Sequence, residues 1–136
     1  VKTALLGLAA AGLFLVGAAA TSAPVDCATP VLRSVSPDTR HRLEICRGRL
    51  FFAMPGQSGD APGMAVLRDA DGQIEGVVAL AMLNAVEGPP RWEADAVALP
   101  LVARIAYTSG GATVLGDAFW RLRTWLRAVP RDEEFR

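Results

Sequence analysis

The run Pro62–Leu80, PGMAVLRDADGQIEGVVAL, decides the fold. Its halves PGMAVLRDA and QIEGVVAL are apolar β-type segments, and Asp71-Gly72 lies between them. That dipeptide favours the positive φ of the primed turns that join adjacent antiparallel strands, so a β-hairpin is expected here. Upstream, Pro55, Gly56, Gly59, Pro62 and Gly63 surround the polar residues Gln57, Ser58 and Asp60. They read as a long loop between a strand near Phe51 and the strand starting at Met64.

Further upstream, Ser36-Pro37-Asp38 signals a turn, and HRLEICR (41–47) then alternates. His41, Leu43 and Ile45 point one way, and Arg42, Glu44 and Cys46 the other, as in a half-buried strand whose outer face carries Cys46. The stretch SVSPDTRHRLEIC (34–46) resembles the S-P-D-G-x-x-R strand entry of small secreted bacterial proteins of uncharacterised activity, a motif repeated in the blades of TolB-type propellers. Thr39 stands where that motif has glycine, so the turn must be made differently. A propeller needs at least four such blades, and no second copy occurs, so the resemblance implies a strand entry and not a propeller.

Downstream, Gly76–Gly88 reads as strand to about Leu80 followed by a helical turn, stopped by Gly88-Pro89-Pro90. RWEADAV (91–97) alternates as one strand with Trp92, Ala94 and Ala96 inward, and a further strand over about 101–108 ends at Ser109-Gly110-Gly111. The period then lengthens to that of a helix. Over about 117–129, Phe119, Leu122, Trp125, Leu126 and Val129 share the face expected to pack on the sheet, Asp117 is placed to cap and Pro130 to terminate. Trp120, Arg123, Arg127 and Arg131 fall on the other side. The expected fold is mainly β (α+β): a small antiparallel β-rich domain of about five or six strands with one C-terminal amphipathic helix.

The chain opens VKTALLGLAAAGLFLVGAAATSAPVDC, one cation followed by an apolar run and small residues, the layout of a secretory leader. Residues 1–22 are read as that leader, cut before Thr21 or Ala23, and residues 23–136 as a single exported domain, periplasmic or secreted. Pro24-Val25-Asp26 before Cys27 lacks the small residue that lipid modification requires. The two cysteines, Cys27 and Cys46, form an even pair in an oxidising compartment, and a disulfide is expected. Formal net charge is zero, and Lys2 is the sole lysine. A balanced chain lacks the cationic excess with which proteins displace counterions from phosphates, which argues against nucleic acid as a partner.

Motif chemistry is sparse. A phosphate-cradling loop needs a lysine that the exported part lacks. Gly56-Gln57-Ser58-Gly59 imitates a nucleophile elbow, yet Asp60 stands where the motif needs glycine. Asp69-Ala70-Asp71-Gly72 resembles part of a calcium loop, but aligning it puts Leu67 and Val78 at positions that need carboxylates. A triad drawn from Ser58 or Ser109, the sole histidine His41, and Asp60, Asp69 or Asp71 has no spacing that assembles it. His41 is read as a packed histidine on the core face. Neither a metal nor a cofactor is expected, and no catalytic residue is assigned. The reading is a non-enzymatic exported domain that binds a protein or cell-envelope component. Its contact surfaces would be the loop with Gln57, Ser58 and Asp60 and the outward helical side with Trp120, Arg123 and Arg127, where tryptophan among arginines also suits a membrane surface. A small secreted serine hydrolase using Ser58 and His41 is the alternative from another class.

Overall fold

The computed structural model describes residues 7–14, 25–48 and 61–131. Residues 7–14 are helical and exposed (α1). Strands follow at β1 (Val25–Asp26), β2 (Leu32–Val35), β3 (His41–Gly48), β4 (Gly63–Asp69), β5 (Ile74–Leu80), β6 (Arg91–Trp92), β7 (Ala96–Leu99) and β8 (Ala103–Ala106). A 3-10 turn spans Leu83–Ala85, and α2 spans Val114–Trp125. Among the described residues, six strands have four residues or more, and the other two have two each. The fold is β-rich α+β, with every strand pairing antiparallel in one of two sheets.

β3 organises the larger sheet. One of its edges pairs with β1 near its end and with β2 near its start, while the other pairs with β4, which pairs in turn with β5. The smaller sheet is the meander β6-β7-β8. Because side chains alternate across a strand, Leu43, Ile45, Ala65, Leu67, Val78 and Leu80 face the small sheet and meet Val97, Leu99 and Ile105 in the main core. Cys46, Val66 and Val77 point to the opposite face, where Val129 and Trp120 close a second core. β3, β4 and β5 are therefore covered on both sides, not half-buried as the alternation in 41–47 suggests. Full burial of each aliphatic side chain stabilises by about 1.5–3 kcal/mol, so the two cores supply the main driving force for folding.

Four local readings are corrected. The hairpin at Asp71-Gly72 exists, but its loop has three residues. Gly72 N–H donates to Asp69 O at 3.1 Å, Asp69 N–H donates to Gln73 O at 3.0 Å, and only Gly72 of the loop has positive φ, at 85°. A type I turn closed by a left-handed glycine has this pattern, and a primed turn would need Asp71 left-handed too. RWEADAV is not one strand. β6 pairs back on β7 with Trp92 opposite Val97, so the chain reverses at Glu93-Ala94-Asp95. Thr39 does not replace the glycine turn by another geometry: it takes the left-handed φ of 59° itself. Finally, α2 begins three residues before Asp117, and its cap is Thr113, whose Oγ1 accepts from Gly116 N–H at 3.0 Å.

The largest correction concerns the rotation of α2. Phe119, Trp125 and Leu126, expected to pack on the sheet, are exposed, whereas Trp120 and Thr124 face inward. Polar ties set this rotation. Asp117 Oδ1 accepts from Ile74 N–H on the edge strand β5 at 2.9 Å, and Arg121 Nε donates to the other carboxylate oxygen at 2.6 Å. After the helix the chain returns along the same edge, where Ala79 N–H donates to Pro130 O at 2.8 Å. Edge groups of β5 that would otherwise invite another strand are thereby occupied.

Candidate functional site

A register irregularity at Leu67/Arg68 shapes the site. Leu67 pairs with Gly76 and Arg68 with Ile74, which leaves Glu75 as the extra residue of a β-bulge. Since side chains alternate, the bulge turns Ile74 to the helix face and keeps Glu75 on the same face as Gly76, toward the small sheet. The Glu75 side chain is fully buried there. His41 lies on the same face of β3, and its Nδ1–H donates to Glu75 Oε2 at 2.7 Å. In the neutral imidazole this leaves Nε2 as the acceptor. Thr108 N–H donates to Glu75 Oε1 at 3.3 Å, and the His41 ring stacks on Tyr107.

These residues form the wall of a cavity of about 750 Å³ at one open end of the two-sheet sandwich. Turns remote in sequence converge on it. The 36–40 turn brings Asp38 and Arg40, the 70–72 loop brings Asp71 beside Asp69, the reversal after β6 brings Glu93 beside Trp92, and the residues after β8 bring Tyr107 and Thr108. Its hydrogen-bonding character is one-sided. The Ser36 hydroxyl is used up, donating to Asp38 Oδ1 at 2.6 Å and accepting from His41 N–H at 2.9 Å. Arg40, the one arginine in the wall among the described residues, is paired with Asp38 at 2.7 Å. Of the other carboxylates in the wall, Asp69 Oδ1 accepts from Gln73 N–H at 2.8 Å and Glu93 pairs with Arg104 at 2.9 Å, and Asp71 and the rings of Trp92 and Tyr107 complete the lining.

The electrostatics agree. Burial pushes the Tyr107 phenol above its ordinary value, and the carboxylates of Asp38, Glu75, Asp95 and Glu93 push it further. Asp38 is held well below the usual carboxylate range by the hydroxyl of Ser36 and then by Arg40. Among the described residues, no three His, Cys, Asp or Glu side chains converge in a way that could hold a metal ion.

The other residues singled out from sequence fall as follows. Cys27 and Cys46 form a disulfide with Cα atoms 4.9 Å apart. Trp120 is not on the outward side of α2 but packs in the second core, with the Arg123 guanidinium 4.9 Å above its ring. Arg123 Nε also donates to Ala128 O at 2.8 Å, and Arg127 is exposed. Gln57, Ser58 and Asp60, with the strand expected near Phe51, lie outside the described residues. Glu44 and Glu75 point to opposite faces of the sheet. Glu44 is buried among Arg33, Arg42 and Arg68 at 3.1, 3.3 and 3.1 Å. Tyr107 and Thr108 escaped sequence reasoning, as did the pairing of Glu75 with His41; the available signal was a glutamate inside the otherwise apolar run IEGVVAL.

Among the described residues, no helix is long and apolar enough to cross a membrane. Comparison of the chain with protein-family models, with curated proteins and with solved structures finds no match.

Proposed function

We propose that this is a non-enzymatic exported module, periplasmic or secreted, which binds a protein or cell-envelope component presenting a basic group to the cavity. The carrying observation is the wall itself, where among the described residues the five carboxylates of Asp38, Asp69, Asp71, Glu75 and Glu93 stand against the single guanidinium of Arg40, and the rings of Trp92 and Tyr107 supply apolar faces. Such a surface suits an amine or guanidinium, because carboxylates neutralise the charge and aromatic faces attract it. Export is supported by the leader-like opening and by the Cys27–Cys46 bridge, since disulfides persist in oxidising compartments.

The test is calorimetric titration with a short arginine peptide and, separately, with spermidine, using a glutamate peptide as control. Saturable binding of either cation, weakened by Asp71→Asn and Glu93→Gln, supports the reading, and the two arms separate a peptide ligand from a free polyamine. Equal heats from cationic and anionic peptides would sink it.

A second reading draws on the His41–Glu75 contact, which has the form of a general base with its orienting carboxylate. With Ser58 as nucleophile the chain would be a small secreted serine hydrolase. It requires labelling by a fluorophosphonate probe that disappears in both Ser58→Ala and His41→Ala.

A further inference from the structure

α2 carries its apolar residues away from the protein. At about 100° per residue, Val114, Leu115, Phe119, Leu122, Trp125 and Leu126 fall within an arc of about 140°. Five of them are at least half exposed: Leu115 83%, Val114 72%, Leu126 57%, Phe119 56% and Trp125 50%. The inward arc is held by Asp117, Trp120 and Thr124. The hydrogen bond from Ile74 N–H on β5 to Asp117 holds this rotation, so the apolar arc cannot be hidden by rolling the helix without breaking it.

Charge selects what covers it. Arginine borders both edges of the arc, Arg121 on one side and Arg123 on the other, and the exposed Arg127 follows just past the end of the helix. The single acid of the helix, Asp117, is turned inward and paired with Arg121. A second copy laid face to face would bring like charges together. A bilayer with anionic headgroups meets every feature at once: guanidinium groups at the phosphates, Trp125 and Phe119 at the interface, and leucines in the outermost acyl region. Twelve residues span about 18 Å, too short to cross a hydrocarbon core of about 30 Å, so the helix must lie flat.

We infer that α2 is an interfacial anchor that seats this domain on an anionic lipid surface through its outward apolar arc. The anchor is independent of the cavity. It lies across the large sheet from the face that carries His41 and Glu75.

Flotation of the full chain with phosphatidylglycerol-containing vesicles, against vesicles of phosphatidylcholine alone, tests it. The expected result is co-flotation with the anionic vesicles and a blue shift of tryptophan emission that Trp125→Phe largely removes. Arg123→Ala and Arg127→Ala should each lower partitioning about fivefold, equivalent to about 1 kcal/mol per cation near such a surface. Raising salt to about 1 M, where the Debye length falls to about 3 Å, should release the protein. Leu115→Ser and Leu126→Ser alter exposed positions and should abolish flotation with an unchanged circular dichroism spectrum. The inference is overturned if vesicles bind equally with and without anionic lipid, or if the four variants float like the parent. It is also overturned if light scattering shows that the arc is instead buried in a dimer that Leu126→Ser dissociates. None of these outcomes bears on cation binding in the cavity, which Asp71→Asn probes separately.

Discussion

The imidazole of His41 lies flat on the phenol ring of Tyr107, with centroids 3.9 Å apart and planes inclined by 6°. The stack couples the first strand of the β3-β4-β5 sheet to the end of β8, and Glu75 secures it from beneath through Nδ1. Replacing the buried carboxylate strands two donors, His41 Nδ1–H and Thr108 N–H. Glu75→Ala should therefore cost about 2–3 kcal/mol, read as a lower urea midpoint. An unchanged midpoint would show that the contact contributes nothing.

Tyr107 is the sole tyrosine of the chain, so its ionisation can be followed by ultraviolet absorbance without interference. Its pKa is raised by burial and by neighbouring carboxylates, so the midpoint should lie above the ordinary value of about 10. The folded state then holds its proton more tightly than the unfolded chain. The associated stability is present below about pH 10 and is lost as pH rises through the folded midpoint. A bound cation should move that midpoint down.

Asp38 has the opposite sign. Its folded pKa is depressed by Ser36 and Arg40, so its contribution is present above the unfolded value of about 3.9 and lost as pH falls below it. Asp38→Asn should flatten the stability profile at the acid end and leave it unchanged in slope near neutrality. Parallel profiles in urea denaturation from acid to neutral pH would contradict this.

Among the described residues three non-glycine residues sit in left-handed backbone, Thr39 at φ 59°, Leu101 at φ 63° and Arg127 at φ 54°. A side chain there costs about 1–2 kcal/mol, partly offset in any glycine variant by the greater freedom of the unfolded chain. Thr39→Gly and Arg127→Gly should each stabilise by about 0.5–1 kcal/mol. For Arg127→Gly, thermal stability should rise while vesicle partitioning falls, which separates the two roles of that position.

Gly76 lies on the face where the sheets meet, and a Cβ there would approach Ile105 Cγ2 to 2.5 Å. Gly76→Ala should destabilise by about 1–3 kcal/mol. Combined with Ile105→Ala, the loss should be less than the sum of the two single changes, because the methyl would enter space that the isoleucine vacates. Strict additivity in a double-mutant cycle would place the clash elsewhere.

Much of the scaffold was legible from local chemistry. Asp71-Gly72 marked the hairpin, the alternation of residues 41–47 marked β3, and an even pair of cysteines after a leader-like opening marked the bridge. What escaped was relational. Alternation has the same period in a seven-residue strand and in a hairpin, so RWEADAV concealed its reversal at Glu93-Ala94-Asp95. Periodicity located the apolar arc of α2 but carried no information about which layer it faces, a choice made by Asp117 finding Ile74 N–H. A one-residue bulge moved Glu75 to the other face of its strand, and with it the partner that makes His41 part of a cavity wall. That wall draws on positions 38, 71, 93 and 107, which only the closed sandwich brings together.

Cys46 has no exposed surface and lies on the side of the sheet that α2 roofs. An ionised thiolate at that position would have no water around it, so the packing favours the bridged form over a reduced and charged one. Cys27, the other half of the bridge, is only partly buried, so attack on the linkage has its approach from that sulfur and not from Cys46.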